Sequence, residues 1–165
     1  MPSPERLVIN TSPLLACIAG CGSLSPLEAL YREVVVPTEV VAEIAAGGPH
    51  GFGIAEFNAA TWLRRWPDPI TPTALLRNAL DKGEAAVIQL ALDQGITHVC
   101  IDEPVGRRLA RLCGLNVTGS IGVLVRARRE GKLSSMRNTI ARMKSHGIWL
   151  SESVVAFALR ETGEG

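Results

Sequence analysis

Residues 7–15 read LVINTSPLL, and the reading of this stretch decides the fold. Leu7, Val8 and Ile9 form a short, largely β-branched apolar run, as a strand buried on both faces requires. Polarity then arrives abruptly with Asn10, Thr11 and Ser12. Pro13 suits the first turn of a helix, where its missing N–H costs nothing. A strand that passes straight into a helix is the opening of a β–α unit. The amide between them is either a turn residue bonding its own backbone or a ligand at the strand's carboxyl end.

The alternation continues outward from this unit. Strand-like runs follow at 34–36, about 61–63, 97–101 and 115–117. Helical runs lie at about 13–21, 25–31, 38–46, 52–59, 73–79, 82–94, 104–113 and 120–130, with more helix near 135–145 and 152–161. Ser12-Pro13 and Thr38 are helix starts, while Gly47-Gly48, Gly95, Gly114 and Gly131 are stops. Strands alternating with helices predict a three-layer α/β/α sandwich around a mainly parallel central sheet. The 165 residues suit one domain, 1–165, with a C-terminal helical extension at about 134–165. The stretch GGPHGFG at 47–53 reads as a turn, because it lacks the strand-to-helix context of a dinucleotide-binding loop.

Composition narrows the function classes. Hydrophobic residues make up 47% of the chain, too many for a disordered one. Acids such as Glu39, Glu43 and Glu84 break every long apolar stretch, so no membrane span is expected. The start MPSPERLVINTS lacks the basic flank and apolar segment of a secretion signal, and a cytoplasmic protein is expected. Cys17 and Cys21 share a helix face, but no CxxC pair exists. The four cysteines are therefore read as reduced, apolar residues rather than zinc ligands. Trp62, Trp66 and Trp149 are read as core rather than as platforms for bases.

Charge is segregated. Residues 105–146 hold ten basic residues and one acid, whereas 1–104 hold six bases and twelve acids. A basic segment beside clustered acids is what a metal-dependent enzyme acting on a phosphate polymer needs; solvated helix faces are the plainer account.

The acids gather at one place. In a parallel sheet, ligands bind at the carboxyl ends of the strands, and the following helices begin at that edge. Asn10 ends the first strand. Glu43 lies in the second turn of the helix after VVVP, with its side chain tilted toward the helix start. Glu84 lies in the first turn of DKGEAAVIQLALDQG, and Asp102 ends THVCID with Glu103 beside it. Hard oxygen ligands of this kind suit Mg²⁺ or Mn²⁺. Each has a structural alternative. Asn10 can be a turn residue and Glu43 an exposed helical acid. Asp81-x-x-Glu84 matches a capping box, and Asp102 can cap the next helix.

The segments LVINTSPLL, VVVPTEVVAEI, LDKGEAAVIQLALDQG, CIDEPVGRRLARLCGL and VTGSIGVLVRARREGKL, in this order, resemble the PIN-domain ribonucleases. They resemble most a PIN-like branch related to the VapC toxins. The resemblance runs from about residue 7 to about 150. It implies an α/β/α domain, an acidic cluster binding Mg²⁺ or Mn²⁺, and single-stranded RNA as substrate. It places Glu43, Glu84 and Asp102 on the family's acidic positions, with Glu103 as a further acid. Thr11 and Ser12 are the small hydroxyl residues that follow the first position. It also implies a small antitoxin protein as partner and a homodimer. Arg107 and Arg108, one or two turns beyond Asp102, are candidate RNA contacts with Ser12 and Ser120, and Thr118 is a candidate for ordering the site.

Asn10 departs from the family pattern, which has Asp at this position. Asn still offers a carbonyl oxygen, but it brings no charge and cannot act as a base. Two readings follow. One is a metal-dependent endoribonuclease, the toxin of a toxin–antitoxin pair. The other is a catalytically impaired RNA- or protein-binding module.

Overall fold

The parallel sheet takes its order from a chain that builds outward from the first strand on one side, then crosses the sheet and builds on the other side. The structure, a computed structural model, describes residues 5–165; residues 1–4 of the expected domain lie outside the described residues. The elements are β1 (Arg6–Ile9), α1 (Thr11–Cys21), α2 (Ser25–Leu30), β2 (Glu33–Val36), α3 (Thr38–Ala45), α4 (Ile54–Ala59) and β3 (Arg64–Arg65). They continue with α5 (Ala74–Ala79), α6 (Lys82–Gln94), β4 (His98–Cys100), α7 (Pro104–Leu112), β5 (Asn116–Thr118), α8 (Ser120–Arg129), α9 (Met136–Ser145) and α10 (Glu152–Glu161). All strand pairs are parallel, in the order β3-β2-β1-β4-β5. Leu7 faces Val34 on one side and His98 on the other.

The chain steps from β1 to β3, then returns across the sheet to β4 and β5. Right-handed crossovers put the helices of these two runs on opposite faces, which gives the expected three layers. In one layer α8 packs on α1 and α2; in the other α6 packs on α5 and α7. Between the layers Leu7, Val8, Ile9, Val35 and Val99 are fully buried. The winding reverses between β1 and β4, so the two helix layers separate there and a crevice opens at the strands' carboxyl ends.

Two expectations need correction. The third strand lies at Arg64–Arg65, paired with Val35 and Val36, and not at 61–63. Residues 61–63 form a turn, with Thr61 N–H donating to Ala59 and Leu63 N–H to Ala60. Leu63 is apolar because it plugs the core, while an exposed edge strand tolerates the arginines. Trp149 is 83% exposed rather than core. Trp62 and Trp66 do pack against the core, and the Arg64 guanidinium lies 5.0 Å from the Trp66 ring centre. All four cysteines are free, with Cys17 and Cys100 fully buried. No helix among the described residues is long and apolar enough to cross a membrane.

The last helices are tied back by close contacts. α9 crosses α1 at Gly20, where a Cβ would lie 2.7 Å from Thr139 Cγ2 and 3.0 Å from Met143 Cγ. Glu164, beyond α10, reaches the start of α9 and accepts from the N–H groups of Met136 (2.7 Å) and Arg137 (3.1 Å). Ser135 Oγ (3.1 Å) and Arg128 Nε (3.2 Å) complete the clasp. An anion at a helix start meets both free N–H groups and the positive end of the helix dipole. These bonds, the Met136 N–H first, pull the Glu164 pKa down to about 2. A depressed acid contributes stability above its ordinary pKa of 4.5 and loses it as pH falls toward the folded value. Glu164→Gln is therefore expected to lower Tm by about 2–4 °C at pH 7. Thermal melts should show this difference closing between pH 4.5 and about 2.

Candidate active site

Asn10 sits where β1 ends, and its N–H donates to the carbonyl of Cys100 at the end of β4 (3.1 Å). This bond holds the two strand ends side by side at the crevice. Asn10 occupies the N-cap of α1, yet its side chain makes no capping bond. A capping amide oxygen ordinarily accepts from the second or third helical N–H. Here Oδ1 is buried and accepts nothing, in a residue only 6% exposed. The turn reading of Asn10 is thus not what the backbone uses it for.

Glu43 shares the same point in space. A Cβ on Gly83, in the first turn of α6, would lie 3.2 Å from Asn10 Oδ1 and 3.1 Å from Glu43 Oε2. Glycine at 83 keeps this gap clear. Thr11 Oγ1 donates to Glu43 Oε1 (2.7 Å), which fixes the carboxylate that α3 carries to the edge. Three helices, α1, α3 and α6, therefore meet around one amide and one carboxylate.

Glu84 follows directly and is 5% exposed. Its N–H donates to Asp81 Oδ1 (2.8 Å), the first half of the expected capping box. The reciprocal half is not made. The side chain instead turns toward α7, where a Cβ on Gly106 would lie 2.5 Å from Glu84 Oε2. That oxygen is buried and receives no hydrogen bond. Burial first, then the nearby Asp81 and Glu103 carboxyls, pushes the Glu84 pKa up to about 8.

Asp102 follows β4 and is half-buried. Its Oδ1 accepts the N–H of Ser120 (2.7 Å) across the ends of β4 and β5. Gly119 leaves room for this approach, since a Cβ there would lie 2.7 Å from Asp102 Oδ1. Asp102 lines a cleft of about 470 Å³ together with Arg107, Thr118 and Phe157. It does not cap α7; Glu103 does.

Other expected site residues take different places. Glu103 is committed to the cap, accepting from Gly106 N–H (2.9 Å), and this bond lowers its pKa. Its carboxyl also lies beside that of Glu84. Ser120 is 4% exposed, and its N–H is given to Asp102. Arg107 Nη1 donates to the carbonyl of Ile101 (2.8 Å), bracing the end of β4. Ser12 and Arg108 are exposed. Thr118 Oγ1 lies 3.4 Å from the Gly119 carbonyl oxygen.

Among the described residues, no three His, Cys, Asp or Glu side chains converge closely enough to hold a metal ion by themselves. The donors nonetheless suit a hard cation in kind, because all are oxygens and two of them, on Asn10 and Glu84, are buried without a donor. Mg²⁺ usually keeps several waters and takes one or two carboxylates plus substrate phosphate. An open, water-rich site of that type fits these residues; a closed protein cage does not.

The clearance glycines were not singled out in the sequence, although one signal was present. A glycine inside a helix costs about 1 kcal/mol relative to alanine, so KGE at the start of α6 asks for a reason. The reason is the space beside Asn10.

The buried Glu84 carboxyl yields a direct test. A pKa raised in the folded state means that ionisation opposes folding, with the cost growing from pH 4.5 and complete above about 8. In chelator at pH 9, Glu84→Gln is expected to raise Tm by several degrees. Calorimetry should find the gain much smaller at pH 5.

No curated protein matches the chain. A family model described as a PIN domain (DUF3368) matches residues 6–164, from β1 to the Glu164 clasp. With nearly the whole chain covered, and with acids gathered at the switch point of an all-parallel sheet, the protein belongs to the PIN-domain family.

Proposed function

We propose that this PIN domain is a metal-dependent endoribonuclease that cleaves phosphodiester bonds of single-stranded RNA. PIN domains are generally nucleases. The observation that carries the reading is Asn10 Oδ1, buried and without a donor beside the Glu43 carboxylate at the strand ends. An orphaned oxygen in that place costs about 1–3 kcal/mol unless something satisfies it.

In this reading Asn10 Oδ1, Glu43 and Asp102 would hold Mg²⁺ or Mn²⁺, with Glu84 behind them. Bound there, such an ion supplies an activated water and offsets charge on the phosphate. The chain's own residues set the geometry. Thr11 orients Glu43 through its hydroxyl, and the Ser120 N–H orients Asp102. Arg107 keeps the end of β4 in place. Burial and the Asp81 and Glu103 carboxyls favour the protonated form of Glu84, and a bound cation would favour its ionised form. The toxin role, with a small antitoxin partner and a homodimeric state, is supported by the resemblance to VapC toxins alone.

One feature favours the second reading, a binding module without cleavage. Asn10 removes a charge, and among the described residues no three acids converge. Ligand charge sets the affinity of such sites.

Titration calorimetry with Mn²⁺ and a cleavage assay on long single-stranded RNA separate the readings. The wild type is expected to bind Mn²⁺ and to cleave only with metal present. Asp102→Asn should reduce cleavage by about 100-fold, and Asn10→Asp should tighten Mn²⁺ binding by about tenfold. RNA binding without cleavage at any metal concentration would establish the module instead.

A further inference from the structure

We infer that a cavity beside the acidic edge is a subsite for one nucleotide of the RNA strand, selective for bases that carry an amino group. The inference rests on the nuclease reading above and adds a preference for substrate sequence.

The cavity, about 400 Å³, lies between α3, α6 and the segment leading into α5. That volume falls in the range of small-ligand sites, about 300–1,000 Å³. It adjoins the candidate active site on two elements. Glu39 lines it and lies four residues before Glu43 on α3, one helical turn or about 6 Å away. Lys82 lines it and directly precedes Gly83, the clearance residue beside Asn10.

Its chemistry divides in two. Ile70, Pro72 and Leu80 form an apolar wall of the kind that packs on a base face. Arg77 and Lys82 are exposed cations at the cavity, and neither has an ion-pair partner among the described residues. Such a pair suits a backbone phosphate. Asp81, the other acid lining the cavity, is already bonded to the Glu84 N–H.

The wall is held in place without a ligand. Ile70 N–H donates to Glu39 Oε2 (2.8 Å), and Thr73 N–H donates to Gln89 Oε1 (3.0 Å). Arg77 Nη1 donates to the Pro72 carbonyl (3.2 Å). The second oxygen of Glu39, Oε1, is buried and receives no hydrogen bond. An amino group of a base would satisfy it. Adenine, cytosine and guanine present amino donors. Uracil presents one N–H between two carbonyl oxygens, which a carboxylate repels. One anionic acceptor therefore discriminates by charge and hydrogen bonding together.

The test uses fluorescein-labelled single-stranded octamers of adenylate, cytidylate and uridylate. Anisotropy in chelator measures binding without cleavage. Wild type is expected to bind the first two about tenfold more tightly than the third. In Glu39→Gln the carbonyl keeps the Ile70 bond while the amide presents a donor, so stability is retained and the preference falls to about twofold or reverses. Arg77→Ala should weaken all three alike and reduce the salt slope by about one. Equal binding by wild type overturns the subsite without needing any variant, as does a preference that Glu39→Gln leaves unchanged. If octamers bind equally, or not at all, while Mn²⁺-dependent cleavage of RNA persists, the subsite alone falls. If no octamer binds and no RNA is cleaved, the nuclease reading falls with it.

Discussion

The hydrogen bond from Asn10 N–H to the Cys100 carbonyl fixes the feature on which everything else depends. It joins β1 to β4 at the point where the chain, after building outward through β2 and β3, has crossed the sheet and begun in the other direction. Helices on opposite faces cannot close over that junction, so the strand ends stay open there. Asn10 leaves β1 and Asp102 leaves β4 at adjacent positions because of this pairing. The helices of the β3-to-β4 crossover deliver Glu84 to the same edge, and the helix after β2 delivers Glu43. Topology alone concentrates the oxygen donors.

Concentrating them opposes stability. Glu84, buried first and then beside the Asp81 and Glu103 carboxyls, keeps its proton until about pH 8. Buried oxygens without donors, on Asn10 and Glu84, add a desolvation cost. The fold offsets this with the apolar sheet: Leu7, Val8, Ile9, Val35 and Val99 are completely buried beneath the site. Close approach is provided by glycines at 106 and 119, where a Cβ would lie within 2.7 Å of a site oxygen, and by Gly83, where it would press tightly on Asn10 and Glu43. A polar arrangement kept under such a penalty, on so regular a scaffold, is the usual mark of a functional site.

Much of this was legible in the sequence, for definite reasons. Parallel strands buried on both faces must be nearly continuous Val, Ile and Leu, so β1, β2 and β4 announced themselves. Helix stops at Gly95, Gly114 and Gly131 have positive φ, which glycine adopts without strain. β3 was misplaced by three residues because a two-residue edge strand made of arginines has no apolar signature, while the neighbouring turn does. The gathering of Asn10, Glu43, Glu84 and Asp102 at one edge followed from strand ends and helix starts. Their partners did not, because long-range contacts leave no periodicity. Nothing local says that the Ser120 N–H binds Asp102, that Glu103 caps its own helix, or that Glu164 clasps α9 from the far end of the chain.

The basic segment shows why charge counted along a chain misleads about charge in space. Residues 105–146 carry ten bases, but the fold neutralises several of them internally. Arg126 pairs with Glu130 (2.8 Å) and Glu5 (3.7 Å), Arg128 with Glu164 (3.2 Å) and Arg129 with Glu161 (3.4 Å). Arg107 braces a strand carbonyl. The acids that answer these arginines come mostly from the two ends of the sequence, which is why the excess looked unbalanced. A partly exposed ion pair is worth little to stability, but it removes a cation from those available to a phosphate. At the cavity beside the acidic edge, Arg77 and Lys82 have no ion-pair partner among the described residues, and both come from the acidic first part of the chain. Arg108 and Arg111 on α7 also have no ion-pair partner among the described residues, so the unpaired positive charge is divided between this face and the basic helices.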